Sequence, residues 1–204
     1  MITSDQIREL EKKSVETGIT KLQLMENSAK GIYRVLNEKF ELRNKRILIV
    51  CYHGNNGGDG FAVARYLCDI AEVDVLFIGE ENKLTDEARI NYKRILHNEK
   101  IQFIEDDETV DFEDFDIIID SILGIGFQGY LRSEITEVIG RINSSNAVKV
   151  AIDIPTGMNP DTQEKAEKFV NADLIITFHD IKPGISSLAD KTVVVDIGLS
   201  NMLT

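Results

Sequence analysis

Residues 46–52 read RILIVCY and residues 53–60 read HGNNGGDG. The first run is short, apolar and rich in β-branched residues. It shows no polar alternation, so it predicts a strand buried on both faces, the kind found in parallel sheets covered by helices. The second run places four glycines, Gly54, Gly57, Gly58 and Gly60, within seven residues. Glycine accepts positive φ and lets backbone approach a ligand closely. A helix opening there, at about Asp59, leaves free N–H groups that can receive a phosphate. No Gly-Lys-Ser/Thr follows, and the glycine spacing is not GxGxxG. A phosphate loop of the kinase type and an ordinary dinucleotide fingerprint are both disfavoured.

Outward from this stretch the strand pattern recurs at 73–79, 101–105, 116–123, 148–155, 173–178 and 192–198. Helical patterns lie between: 59–70, from Thr85 or Asp86 to near His97, and 133–145, where Ile135, Val138, Ile139 and Ile142 share one face. Two more helices lead the chain. Thr3 or Ser4 caps the first, which runs to about residue 17. The second runs from about Leu22 to Phe40, with Met25, Ala29, Ile32 and Leu36 on its apolar face. Alternating strands and helices predict an α/β fold with right-handed crossovers. The two leading helices are expected on the sheet's face, within a single domain spanning 1–204.

The composition bounds the function. The 204 residues are 43% apolar and carry a formal charge of −12. That charge repels phosphate backbones and argues against nucleic-acid binding. Cys51 and Cys68 form neither a CxxC motif nor a disulfide scaffold. The start MITSDQIRELEKKS lacks an apolar signal segment, and no run reaches the ~18 residues of a membrane span. The expectation is a protein of the cytoplasm with no membrane partner.

In an open parallel sheet, ligands bind beyond the carboxyl ends of the strands. The loops 53–60, 124–129, 155–160 and 179–184 hold all three prolines and nine of the fourteen glycines. Turn-forming alone explains one or two glycines per loop, but not four in the first. Asp120 and Asp153 end two apolar strands, where a carboxylate must be hydrogen-bonded, paired or cation-bound. They are candidates for acid–base work or cation binding, with loop capping as the alternative. Thr156 offers a hydroxyl to the same cation or makes a turn. Lys182 is a candidate to bind phosphate or serve as an acid, a solvated lysine being the commoner outcome. Asn55, Asn56 and Asp59 are ligand or turn and cap residues. His53 and His179 flank the cleft without a zinc pattern, and no GxSxG marks a serine hydrolase. Met25 reads as core; Glu26 and Asn27 read as a solvated face.

Five segments taken in order, Leu24–Asn27, Gly54–Gly60, Asp120–Gly126, Asp153–Gly157 and Thr177–Gly184, resemble the NAD(P)H-hydrate epimerase family, the YjeF N-terminal domain. The resemblance implies a Rossmann-like three-layer α/β/α sandwich with a mainly parallel sheet, in a homodimer. It implies interconversion of the R and S forms of NADHX and NADPHX, nicotinamide cofactors hydrated at C6. This is metabolite repair beside a dehydratase that takes only the S form. The dehydratase is fused at the C-terminus in many members; because this sequence stops at Thr204, a stand-alone epimerase with the dehydratase on a separate chain is expected.

Carried over by position, Asn55, Asn56, Gly57, Gly58 and Asp59 line the substrate site. Gly124, Ile125, Gly126, Phe127, Gln128, Gly129 and Tyr130 wrap its phosphates. Asn56, Asp120 and Thr156 hold a potassium ion, hard oxygen donors suiting such a cation. Thr156 departs from the more usual serine, and His179-Asp180 are unusual before Lys182. Asp153 contacts the reacting ring and is expected to shuttle the proton, with Lys182 assisting or positioning it. The competing readings are a non-catalytic nucleotide-binding or scaffold module of the same fold, a dehydrogenase and a kinase.

Overall fold

A computed structural model describes residues 1–105 and 107–199; Thr204 lies outside them. Seven strands form one sheet in the order β3-β2-β1-β4-β5-β6-β7. They are β1 (Arg46–Cys51), β2 (Glu72–Phe77), β3 (Ile101–Ile104), β4 (Ile117–Ser121), β5 (Val148–Ile152), β6 (Leu174–Phe178) and β7 (Thr192–Val195). Every pairing is parallel. The chain starts in the middle of the sheet, builds one half outward to β3, then returns to β4 and builds the other. The strand order therefore reverses between β1 and β4, and the crevice there is where such sheets bind ligands.

The helices are α1 (Ser4–Glu16), α2 (Lys21–Lys39), α3 (Asn55–Leu67), α4 (Asp86–Leu96) and α5 (Ser133–Ser144). Alternate side chains of each strand point to opposite faces. Ile47, Ile49 and Cys51 of β1 join the core beneath α1 to α4, while Leu48 and Val50 join the core shared with α5. Residues 47–51 are all without solvent exposure, which accounts for the unbroken apolar run. This is the three-layer arrangement expected. The leading helices pack on the sheet, with Ile7 and Leu10 of α1 and Ala29, Ile32 and Leu36 of α2 in the core.

Thr3 caps α1 in a reciprocal box with Gln6. Glu26 and Asn27 are not the solvated face expected of them. The Glu26 carboxylate accepts from Arg65 at 2.5 Å and from the Tyr66 hydroxyl, clamping α2 to α3. These bonds hold the Glu26 carboxyl below its usual range against the opposing effect of burial. The Asn27 amide donates to the Ile197 carbonyl at 2.8 Å. Met25 is core, as expected, and its sulfur accepts from the Asn91 amide at 3.2 Å.

The first loop corrects the sequence reading. The helix starts at Asn55, four residues before the expected Asp59, so Gly57, Gly58 and Gly60 lie inside α3 with ordinary negative φ. They are there for packing. A Cβ on Gly57 would stand 1.7 Å from the Tyr52 carbonyl oxygen, and one on Gly60 would stand 2.6 Å from the Cys51 sulfur. Gly57 and Gly60 let the start of α3 lie directly on the end of the sheet, while Gly58 makes room for Met25 of α2 and Ala88 of α4.

Candidate active site

A cleft of about 340 Å³ opens beyond the carboxyl ends of β1, β4, β5 and β6. Of the residues singled out in the sequence, Asn55, Asn56, Asp59, Gly124, Ile125, Gly126, Phe127, Asp153, Lys182 and His179 line it. Gly57 and Gly58 are buried beneath, in α3. Gln128, Gly129 and Tyr130 are not part of its lining, and the Tyr130 side chain is fully exposed. His53 is also outside it. Its ring lies 3.8 Å from that of Tyr52, and burial holds its pKa below the usual histidine value.

Asp120 is the penultimate residue of β4 and is 1% exposed. One carboxylate oxygen accepts from the Thr156 hydroxyl at 2.6 Å and from the Ile122 N–H at 3.2 Å. The other accepts from the Thr156 N–H at 2.7 Å. The Thr156 hydroxyl in turn accepts from the Leu123 N–H at 3.0 Å. All donors to Asp120 are neutral, so burial prevails and pushes its pKa up to about 6 against the opposing hydrogen bonds.

Asp153 follows β5 by one residue and adopts the left-handed region, with φ 65°. Such a conformation costs an aspartate about 1 kcal/mol or more and persists where surrounding bonds impose it. Here its N–H donates to the Ile176 carbonyl at 2.8 Å. One carboxylate oxygen accepts from Lys182 Nζ at 2.7 Å and from the Thr177 hydroxyl at 3.2 Å; the other accepts from the Ile125 N–H at 3.2 Å.

Lys182 is fully buried rather than solvated. Its ammonium has three protons, and it finds three acceptors: Asp153, the Thr177 hydroxyl at 2.8 Å and the Phe178 carbonyl at 2.8 Å. With every proton committed, it is placed to fix the Asp153 carboxylate and balance its charge. Thr177, the one polar residue in LIITF, serves both partners, and that interruption of an apolar strand was its signal in the sequence.

The Asn56 amide completes the floor. Both its polar atoms are buried and lack a hydrogen-bond partner among the described residues. A Cβ on Gly124 would lie 2.9 Å from the Asp153 carboxylate and 3.3 Å from the Asn56 amide oxygen. The absence of a side chain at 124 thus keeps both groups open toward the cleft. Asn55 is held by the Thr85 hydroxyl, which donates to its amide oxygen at 2.7 Å. Asp59 accepts from the Ser28 hydroxyl; burial pushes its pKa well up, Ser28 opposing and the charges of Asp153 and Glu11 reinforcing.

One wall had no signal in the sequence. Ile7, Arg8 and Glu11 of α1 line the cleft. The N-terminus is tied over it by the Met1 ammonium on Asp180 at 2.6 Å, the Ile2 N–H on the Ile181 carbonyl at 3.1 Å and Arg8 on the Ile125 carbonyl at 3.3 Å. The polar face of α1 reads as solvated in the sequence because nothing local records that a cleft lies against it.

The family profile described as YjeF-related protein N-terminus matches residues 21–184. The chain belongs to this family. It is 36% identical over 195 residues to an NAD(P)H-hydrate epimerase of Nitrosopumilus maritimus, a match covering 94% of this chain and 90% of that one. A second NAD(P)H-hydrate epimerase, of Rhodopirellula baltica, is 38% identical over 192 residues, covering 92% and 78%. A bifunctional NAD(P)H-hydrate repair enzyme of Methanopyrus kandleri is 36% identical over 198 residues, covering 93% of this chain and 39% of the relative. The chain thus spans about two-fifths of that bifunctional relative and most of the two epimerases. The crystal structure of yeast ynu0 shares the fold, with a TM-score of 0.84 at 22% identity over 95% of this chain and 86% of that one. No described helix is long and apolar enough to cross a membrane.

Proposed function

We propose that this member of the YjeF N-terminal family is an NAD(P)H-hydrate epimerase, interconverting the R and S forms of NADHX and NADPHX at C6 of the hydrated ring. The observation that carries the reading is the identity of 36% and 38% to two proteins named NAD(P)H-hydrate epimerase, each over more than nine-tenths of this chain. The cleft at the sheet's switch point suits a nucleotide substrate.

The chemistry follows from the side chains. The C6 hydroxyl leaves with the bonding pair and returns on the other face, while the ring nitrogen's lone pair holds the positive ring between the two steps. The Asp153 carboxylate, ion-paired to Lys182, stabilises that positive charge and accepts the proton of returning water. Lys182 acts by positioning Asp153. The N–H groups of Gly124 and Gly126 and of the opening turn of α3 are proposed to receive the phosphates, those of Ile125 and Phe127 being already bonded to Asp153 and the Gly124 carbonyl.

Asn56, Asp120 and Thr156 are proposed to hold a potassium ion. The donor set fits a monovalent cation: one carboxylate, a hydroxyl and an amide whose buried oxygen has no other partner among the described residues. When bound, the cation offsets the Asp120 charge and fixes the Asn56 amide. The proposed setting is the cytoplasm, as a homodimer, with a dehydratase specific for the S form consuming the product.

A coupled assay tests the reading. A mixture of R- and S-NADPHX is supplied with an S-specific dehydratase and its energy source, and NADPH absorbance is followed. The dehydratase alone stalls when the S form is exhausted; this chain should carry conversion to completion. Binding of the nucleotide without turnover would make the chain a non-catalytic module instead.

A further inference from the structure

Epimerisation sets a geometric requirement that Asp153 alone does not meet. The hydroxyl departs from one face of the ring and returns to the other, so protons must be handled from two directions. Asp153 enters the cleft from the end of β5 and is immobilised by Lys182, Thr177 and the Ile125 N–H. Another carboxyl enters from a different wall: Glu11, on α1, two helical turns in from the Thr3 cap. Glu11 also lines a side chamber of about 60 Å³ that it shares with Asp59 and Ser28, room for about two waters.

We propose, building on the epimerase reading, that Glu11 is a second catalytic residue, the acid that protonates the departing hydroxyl while Asp153 serves the other face. In the forward direction the C6–O bond breaks, its electron pair goes to oxygen, and the Glu11 carboxyl gives that oxygen its proton, releasing water and leaving Glu11 as a carboxylate. Water then adds to C6 from the other side and its proton goes to Asp153. The proton returns from Asp153 to Glu11 through solvent, and the opposite epimer runs the same steps with the two roles exchanged.

The contrast between the two carboxyls supports the assignment. Asp153 receives three hydrogen bonds, one from an ammonium. The Glu11 carboxyl receives none among the described residues. The cations facing it are Arg8 on its own helix, Lys21 at the start of α2 and Lys182; the anions are Asp153, Asp59 on α3 and, across the side chamber, Glu87 on α4. The His179 ring shares the same cleft. Burial, and after it the Asp153 charge, outweigh the cations and raise the Glu11 pKa. A carboxyl without donors beside one held by an ammonium is arranged to divide the acid and base roles with it. Glu11 lies before residue 21, outside the segment matched by the family profile.

The test uses the full chain with R-NADPHX, separating the epimers by chromatography so that no coupling enzyme enters. Wild type should lose rate as pH rises through the Glu11 pKa. Glu11→Gln should lower kcat by about 10²-fold or more, and the alkaline limb should disappear, with NADP⁺ affinity held within about threefold. Glu11→Asp should recover part of the rate with the limb restored. Wild-type kcat in Glu11→Gln overturns the proposal. So does a lowered rate with the limb unmoved, which would mark a structural role. An inactive wild type overturns the epimerase reading and this proposal with it.

Discussion

Asp120 and Asp153 stand at the ends of neighbouring parallel strands, and in the sequence they look interchangeable. Their surroundings make them different reagents. Asp120 is sealed beneath the cleft and receives only neutral donors, so its charge is left uncompensated by the chain. Asp153 lines the cleft, is turned into the left-handed region and is neutralised by a buried ammonium. A buried carboxylate with only neutral donors suits the proposed cation. One with a built-in cation is held in place at the cleft. Position on the strand makes both possible; the identity of the donor chooses between them.

The largest effect should come from breaking the built-in pair. Lys182→Met leaves Asp153 buried and unpaired, which costs about 3–5 kcal/mol of folding stability in denaturant melts. A loss below about 1 kcal/mol would mean the ammonium matters little to Asp153. Next, Asp153→Asn keeps the shape and removes the base. Turnover should fall by about 10²-fold or more, and an active Asn variant would remove Asp153 from the chemistry.

On the Asp120 side, Thr156→Val deletes one donor to the carboxylate and the acceptor of the Leu123 N–H, which should destabilise by about 1–3 kcal/mol. It should also abolish any rise in melting temperature when potassium replaces tetramethylammonium in the buffer. Thr156→Ser should restore both. A valine variant with an undiminished potassium response would place the cation elsewhere.

Glu26 supplies the control, a carboxylate with cationic partners but outside the cleft. Glu26→Gln should cost only about 1 kcal/mol at pH 7, solvent screening the partly exposed pair. Its folded pKa is lowered, so its contribution is present above the ordinary value of 4.5 and fades as pH falls through the folded value. Wild type and variant should therefore converge in acid melts. Catalysis should be untouched, and a large loss of turnover would extend the active site to the α2–α3 clamp.

Much of this was legible along the chain. Strands buried on both faces leave continuous apolar runs, so all seven were found within a few residues of their limits. The start of α3 is not legible, because glycine's poor helix propensity argues against a helix where Gly57 and Gly60 are needed to seat it on Tyr52 and Cys51 and Gly58 to admit Met25 and Ala88. The resemblance places Lys182 beside Asp153, but its complete burial is not legible, since a lone lysine in a loop gives no hint of three buried acceptors gathered from the ends of β5 and β6.

The sequence by itself determined the alternation of strands and helices, and with it the end of the sheet at which Asn56, Asp120, Asp153 and Thr156 would meet. These follow from periodicity and from the fixed hand of the crossovers, both local rules. Only the tertiary structure decided that α1 closes the cleft and brings Glu11 to it, and that Lys182 meets Asp153 as a fully buried ion pair. The reason is that desolvation and hydrogen-bond partners arise between segments far apart in the chain: Lys182 lies 29 residues from Asp153, and Glu11 reaches the cleft from the opposite end of the fold's connectivity. No local pattern carries that information.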